Sequence, residues 1–223
     1  FFFKQKTAYE IYQCDWSSDV CSSDLYGPKL YCISGHVNKP GIVELPMGVT
    51  LRELVDKHGG GVWKGRKAKG AIPGGNSMGI IPESEFDIPL DFNGPGTVKA
   101  LGLGTAAVTV FDDQTSIVDV LHNLCRFFAH ESCGQCTPCR EGTGWMLKIV
   151  ERIRRGQGRR EDLDILEEVA DRIGIMPGTT ICGLADGAGW PVKTAIRKFR
   201  PEFESYLKEG PRSGVRLQMA ASH

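Results

Sequence analysis

Three cysteines, Cys133, Cys136 and Cys139, recur at every third position in the stretch Glu131-Ser-Cys-Gly-Gln-Cys-Thr-Pro-Cys-Arg-Glu-Gly142. A fourth, Cys182, follows in Thr-Thr-Ile-Cys-Gly-Leu-Ala-Asp. Two-residue gaps let a short loop curl until three thiolates point at one centre. A distant thiolate then closes the site from another element. This is the ligand pattern of a four-cysteine [4Fe–4S] cluster. The pattern constrains the fold, because two segments far apart in the chain must meet.

Zinc is the first alternative. Structural zinc sites usually take two pairs of ligands, one from each of two loops. Here the division is three and one, which suits a cubane: a tight loop reaches three iron corners and another element supplies the fourth. A redox-active dithiol is the second alternative. Gly134 lets the backbone turn closely over inorganic sulfide, Pro138 stiffens the approach to Cys139, and Arg140 adds positive charge beside an anionic group. Backbone N–H groups in such a loop can donate to sulfur and adjust the potential. The sequence contains no catalytic triad pattern and no His-Glu-x-x-His.

Composition limits the remaining classes. The chain has 223 residues, enough for one or two small domains, with formal net charge +0. That balance gives no general attraction to nucleic acid or an anionic surface. No apolar run approaches the roughly 20 residues of a spanning helix. Eight cysteines are too sparse for a disulfide scaffold, and their spacing suits metal binding in a reducing compartment.

Residues 1–25 stand apart. Cys14-Asp-Trp-Ser-Ser-Asp-Val-Cys-Ser-Ser-Asp-Leu25 repeats without turn or helix logic. It resembles the conceptual translation of a sequencing-library adapter. Lys4 and Lys6 follow three Phe residues, and acidic residues come next, so neither a signal peptide nor a transit peptide fits. The genuine chain is expected to start near Tyr26, in mid-protein.

From there the expected fold class is α+β. Residues 26–112 form a small β-grasp domain, residues 113–208 an all-α four-helix bundle that carries the cluster, and residues 209–223 a polar tail. Lys29–Val37 and Gly41–Leu45 make a hairpin around Asn38-Lys-Pro-Gly41. Thr50 caps a helix bearing Leu51, Leu54 and Val55, ended by Gly59-Gly-Gly61. Ala71–Ile81 holds two apolar ends around a turn, and Leu101–Phe111 is a buried final strand. Ile117, Val118, Val120, Leu121, Leu124, Phe127 and Phe128 mark a first bundle helix. Trp145, Met146, Ile149, Val150 and Ile153 mark a second, and Glu161–Ile173 a third. Trp190–Tyr206 makes a fourth, with Val192, Ile196, Phe199, Phe203 and Tyr206 inward.

Other features have bland expected roles. Lys64–Lys69 is a solvated basic loop, and Gly74, Gly75 and Gly79 form a structural turn, lacking the lysine of a phosphate loop. Gly102 and Gly104 lack the third glycine of a dinucleotide fingerprint. Cys32 and Cys125 are buried structural thiols, and His130 makes hydrogen bonds rather than binding metal. Arg152, Arg154, Arg155, Arg159 and Arg160 form a solvated face at a helix end, with docking of a redox partner as the sharper alternative.

The cysteine loop, together with Ile181-Cys-Gly-Leu-Ala-Asp-Gly-Ala-Gly-Trp-Pro191, resembles the flavin-carrying NADH dehydrogenase subunit of respiratory complex I. It is equally similar to the diaphorase subunits of NAD-linked hydrogenases and formate dehydrogenases. Lys29–Phe111 resembles the ubiquitin-like SLBB domain of that family. The resemblance implies hydride transfer from NADH to FMN, then single-electron transfer through a cluster held by Cys133, Cys136, Cys139 and Cys182. It implies that Gly183 and Leu184 lie near FMN, and that no residue of this stretch is itself catalytic. It implies partner redox subunits, no nucleic acid, and a peripheral position on the cytoplasmic or mitochondrial-matrix side of an energy-transducing membrane. The family's flavin- and nucleotide-binding domain lies upstream of this region. FMN and NAD are therefore expected only in the complete parent subunit, and this stretch alone is expected not to oxidise NADH.

Overall fold

The computed structural model describes residues 27–174 and 180–209. The adapter-like stretch, Pro177, Gly178 and the polar residues after Glu209 lie outside the described residues. Glu209, expected in the tail, is the last residue of a helix.

Alternating side chains build the first sheet edge. Strand β1 (Pro28–Gly35) pairs antiparallel with β2 (Gly41–Pro46), Cys32 opposite Ile42. Tyr31 and Ile33 face inward and are buried, while Leu30 and Ile42 stay exposed. Period-two patterning allows this, since one face of the hairpin packs and the other does not. Cys32 falls on the outer face and is half-buried, not the buried core thiol its apolar neighbours suggest. The Thr50 hydroxyl accepts from the Glu53 N–H at 3.1 Å, capping a helical turn at Leu51–Glu53. The next turn, Leu54–His58, is π-wound and closes on Gly59. Leu51, Leu54 and Val55 across the two turns are buried in the core of the sheet domain.

Strands β3 (Ala68–Ile72) and β4 (Ile81–Pro82) pair antiparallel, and β5 (Ala107–Asp112) lies between β1 and β3. The order is β2-β1-β5-β3-β4, with β5 parallel to β1 and antiparallel to β3. Strand β5 starts six residues later than the apolar run suggests. Leu101, Gly104 and Ala106 have φ of 74°, 55° and 58°, outside the extended region. They fold over the Gly74–Gly75 turn, where the Thr105 N–H donates to the Gly74 carbonyl at 3.1 Å. A Cβ on Gly74 would lie 2.0 Å from the Leu103 carbonyl oxygen, so the glycine there serves close backbone approach.

Helix α1 (Ile117–Glu131) starts where Ser116 accepts from the Asp119 N–H. Helices α2 (Thr137–Arg154), α3 (Glu161–Arg172) and α4 (Leu184–Glu209) complete the bundle. Glu161, Asp162 and Asp164 in the first turn of α3 complement the positive end of its dipole. Helix α4 begins six residues before the expected start at Trp190. Pro191 therefore lies inside the helix rather than in its first turn. A second interior proline, Pro201, follows a break at Phe199, whose φ of −123° and ψ of 22° leave the helical region.

Helix α4 fastens the bundle to the sheet. Thr194 Oγ1 accepts from the Ile80 N–H at 2.8 Å. Lys69 Nζ, Glu202 and the Ile117 N–H form a chain in which one Glu202 oxygen accepts from both donors at 3.0 Å. Lys198 pairs with Glu85 and donates to the Val98 carbonyl. Ile72, Ile80 and Phe111 of the sheet region join the helical core around Leu121, Met146, Val150, Leu166 and Phe203. Lys69, expected in a solvated loop, is thus a structural bridge, and Arg66 likewise donates to the buried Asp112 at 2.6 Å.

Candidate metal centre

Two helix starts bring the two cysteine-bearing segments into contact. Ser132 ends α1 with its N–H on the Phe128 carbonyl. The chain then turns at Gly134, with φ of 79°, where an L side chain would be strained. The Arg140 guanidinium donates to the Gly134 carbonyl at 2.8 Å and holds that turn against the next helix. Cys136 occupies the N-cap of α2, with Pro138 in its first turn. Cys139 is buried in that same turn, where unpaired N–H groups favour negative charge. The Thr143 hydroxyl donates to the Cys139 carbonyl at 2.8 Å, one turn on.

The second segment arrives from α3 and leads into α4. The Gly183 carbonyl accepts from the Gly187 N–H at 2.9 Å, so Gly183 sits at the start of α4 and Cys182 just before it. The Ile181 N–H donates to Cys136 Sγ at 3.3 Å. That contact seats the residue beside Cys182 on the three-cysteine loop, across 45 positions of chain. Leu184 packs partly against the helical core, while no heavy atom lies within 4 Å of a Cβ built on Gly183.

All four cysteines are free thiols: Cys133 and Cys182 exposed, Cys136 half-buried, Cys139 buried. Among the described residues, no three Cys, His, Asp or Glu side chains gather closely enough to hold a metal ion. The donor chemistry nevertheless fits a thiolate-bound group: four free sulfurs from two segments in contact, one backbone N–H donating to sulfur and one hydroxyl within hydrogen-bond distance of another. That hydroxyl is Ser132, whose Oγ lies 3.2 Å from Cys139 Sγ, with either atom able to donate.

Helix α2 packs tightly behind the loop. A Cβ on Gly142 would lie 2.2 Å from Ile173 Cγ2, so α2 and α3 approach closely only because position 142 lacks one. Cys125, by contrast, is buried inside α1, and burial pushes its thiol up to about 12. It packs in the same helical core as Cys139, as a structural thiol can.

Residues 119–206 match the NADH-ubiquinone oxidoreductase-F iron-sulfur binding region, and residues 30–81 match the SLBB domain. The chain thus carries an SLBB domain followed by this iron–sulfur binding region. The iron–sulfur region spans α1 to α4, and therefore both cysteine segments. The chain is 48% identical over 183 residues to an NADH-quinone oxidoreductase subunit of Rhizobium meliloti, covering 82% of this chain and 42% of that protein. It is 48% identical over 185 residues to the mitochondrial NADH dehydrogenase [ubiquinone] flavoprotein 1 of Dictyostelium discoideum, covering 82% and 38%. The solved NAD+-reducing [NiFe]-hydrogenase in its air-oxidized state superposes with a TM-score of 0.70 at 34% identity, covering 86% of this chain and 31% of that one. The chain spans about two fifths of the length of the curated relatives it matches.

Several surroundings of the iron–sulfur region differ from expectation. His130 is not among them: as expected it makes a hydrogen bond, to Glu131, and it points outward, 84% exposed. Of the arginine cluster, Arg152 and Arg159 bind Asp162, Arg154 binds Asp119 and Arg155 binds Glu151. Most of that face is paired within the protein. Trp145 is 54% exposed beside Ile165, and the two line an apolar groove with Pro138, Val169 and Ile173. Sequence reasoning missed Ser132 and Thr143. Thr143 carries a usable signal, since a threonine four residues after Cys139 on a helix can reach the Cys139 carbonyl.

Proposed function

We propose that Cys133, Cys136, Cys139 and Cys182 hold a [4Fe–4S] cluster and that the chain relays electrons within an NADH dehydrogenase of the NADH:quinone oxidoreductase kind. The observation that carries this reading is the Ile181 N–H on Cys136 Sγ, because it joins the fourth cysteine's segment to the loop of three. When bound, the cluster takes up and releases one electron at a time.

The chain's own residues define the surroundings of that electron. The N-termini of α2 and α4 lie at the two cysteine segments, where the positive ends of the helix dipoles suit an anionic group. Cys139 is buried by α2, whereas Cys182 and Ile181 (81% exposed) lie open to solvent. The exposed side is the natural route of exchange. Gly183, with open space where a side chain would be, and Leu184 at the head of α4 are the residues assigned to the approach of FMN in the parent subunit. FMN and NAD belong to that parent subunit, and NADH oxidation is its activity.

The likeness to an NAD+-reducing hydrogenase supports a second reading with the same chemistry and another acceptor: a diaphorase subunit. In either case the partners are redox subunits rather than nucleic acid. Among the described residues, no helix is long and apolar enough to cross a membrane, and a peripheral position on the cytoplasmic or matrix side suits both readings.

Dithionite titration of the anaerobically reconstituted chain tests the proposal. The visible absorption should bleach with uptake of one electron per chain. A reconstituted chain whose absorption does not respond to reductant contradicts it.

A further inference from the structure

The three-cysteine loop contains one side-chain donor directed at a ligand sulfur. Ser132 Oγ lies 3.2 Å from Cys139 Sγ, within the distance allowed for a hydrogen bond to sulfur. Cys139 is 7% exposed, so water competes poorly for that sulfur. In the free thiol either atom can donate. A metal-bound cysteine has lost its proton, so in the loaded protein only the serine hydroxyl can. Ser132 is well placed for this, because its backbone is fixed independently. Its N–H closes the last turn of α1 on the Phe128 carbonyl, and its φ of −63° and ψ of 120° begin the cysteine loop.

We propose that Ser132 is a positioning residue for the cluster, donating to the Cys139 thiolate and setting the cluster's reduction potential. The proposal rests on the four-cysteine reading above. Reduction adds negative charge that spreads onto the ligand sulfurs, so a hydrogen bond to one of them strengthens on reduction. The donor therefore stabilises the reduced form more than the oxidised form. Removing it lowers the potential. The Ile181 N–H on Cys136 acts in the same direction, but it is a backbone group that most substitutions leave in place. Ser132 is thus the point at which the sequence can adjust the potential without changing a ligand.

The test compares wild type, Ser132→Ala and Ser132→Thr by EPR-monitored redox titration after anaerobic reconstitution, with iron and sulfide measured on each. Ser132→Ala should keep the wild-type iron content. At a fixed potential its ratio of reduced to oxidised cluster should fall about tenfold, a shift of about 59 mV for one electron. Ser132→Thr, which keeps a hydroxyl, should stay close to wild type. The proposal is overturned if Ser132→Ala titrates with wild type, or if Ser132→Thr moves as far as Ser132→Ala. It is also overturned if both variants lose the cluster alike, since the residue would then serve loop folding only. A wild-type chain that binds no iron would instead sink the four-cysteine reading, so the two failures are distinct.

Discussion

The Ile181 N–H meets the Cys136 sulfur at 3.3 Å, joining two segments 45 positions apart. Cys136 occupies the N-cap position of α2, and Ile181 lies three residues before α4, so the contact joins one helix start to another. If it marks the closing of a four-thiolate site, both segments are needed at once. Cys136→Ser and Cys182→Ser should each reduce bound iron by roughly half or more, since metal binding depends on the complete ligand set. Each should also remove the wild-type EPR signal. Cys125→Ser should leave iron and signal unchanged. Iron analysis and EPR of the three reconstituted variants check this.

Thiol reactivity should separate the cysteines by environment. Only the thiolate reacts, and Cys125 is pushed up to about 12 by burial. At pH 8 its thiolate fraction is about one in ten thousand. In the metal-free chain, iodoacetamide should label exposed Cys133 and Cys182 quickly and leave Cys125 untouched until denaturant is added. After cluster assembly, Cys133 and Cys182 should become protected as well. Mass spectrometry of labelled peptides reads each site.

Asp112 anchors the joint between sheet and bundle. Its buried carboxylate accepts from Arg66 at 2.6 Å, Trp63 at 3.0 Å and Thr115 at 2.6 Å. Burial alone would raise its pKa, but the hydrogen bonds from Thr115, Trp63 and Arg66 outweigh it and hold the carboxyl well below the usual range. A depressed folded-state pKa contributes stability that is present above the unfolded value of about 3.9 and is lost as pH falls below it. Asp112→Asn should cost about 2 kcal/mol at pH 7, less than a fully buried pair because Arg66 is partly exposed. It should also flatten the loss of stability below about pH 4. Denaturant melts of both proteins from pH 3 to pH 7 measure both effects.

Gly142 sets the spacing of α2 and α3 behind the loop. A Cβ there would fall 2.2 Å from Ile173 Cγ2. Gly142→Ala should destabilise the chain by about 1–3 kcal/mol through overpacking, despite alanine's better helix propensity. Because Cys139 lies one turn before, the variant should also lose cluster faster in the presence of a chelator. Thermal melts and the rate of iron release test the two consequences.

Where local chemistry decided the structure, it was legible in the residues. The Asn38-Lys-Pro-Gly41 turn, the Thr50 cap and the apolar stripe of α1 follow from short-range rules. The cysteine spacing was enough to place two segments together. The misreadings arose where distant groups decide. Strand β5 begins late because residues 101–106 must wrap the Gly74–Gly75 turn, which no local pattern announces. The fourth helix was expected from Trp190, yet α4 starts at Leu184 and carries Pro191 inside it. The basic runs looked solvated, but Arg66, Lys69, Arg152 and Arg154 have acidic partners elsewhere in the chain. Trp145 sits at helical spacing with core residues but faces a groove, because a helix stripe widens or narrows with what packs on it.

The central claim is that these four cysteines hold a polynuclear iron–sulfur centre. Anaerobic reconstitution followed by metal and acid-labile sulfide analysis, with low-temperature EPR of the reduced chain, tests it most directly. The account predicts iron and sulfide in equal amounts, about four of each per chain, and a paramagnetic signal that appears on reduction. One zinc per chain, with no sulfide and no EPR signal, would contradict it.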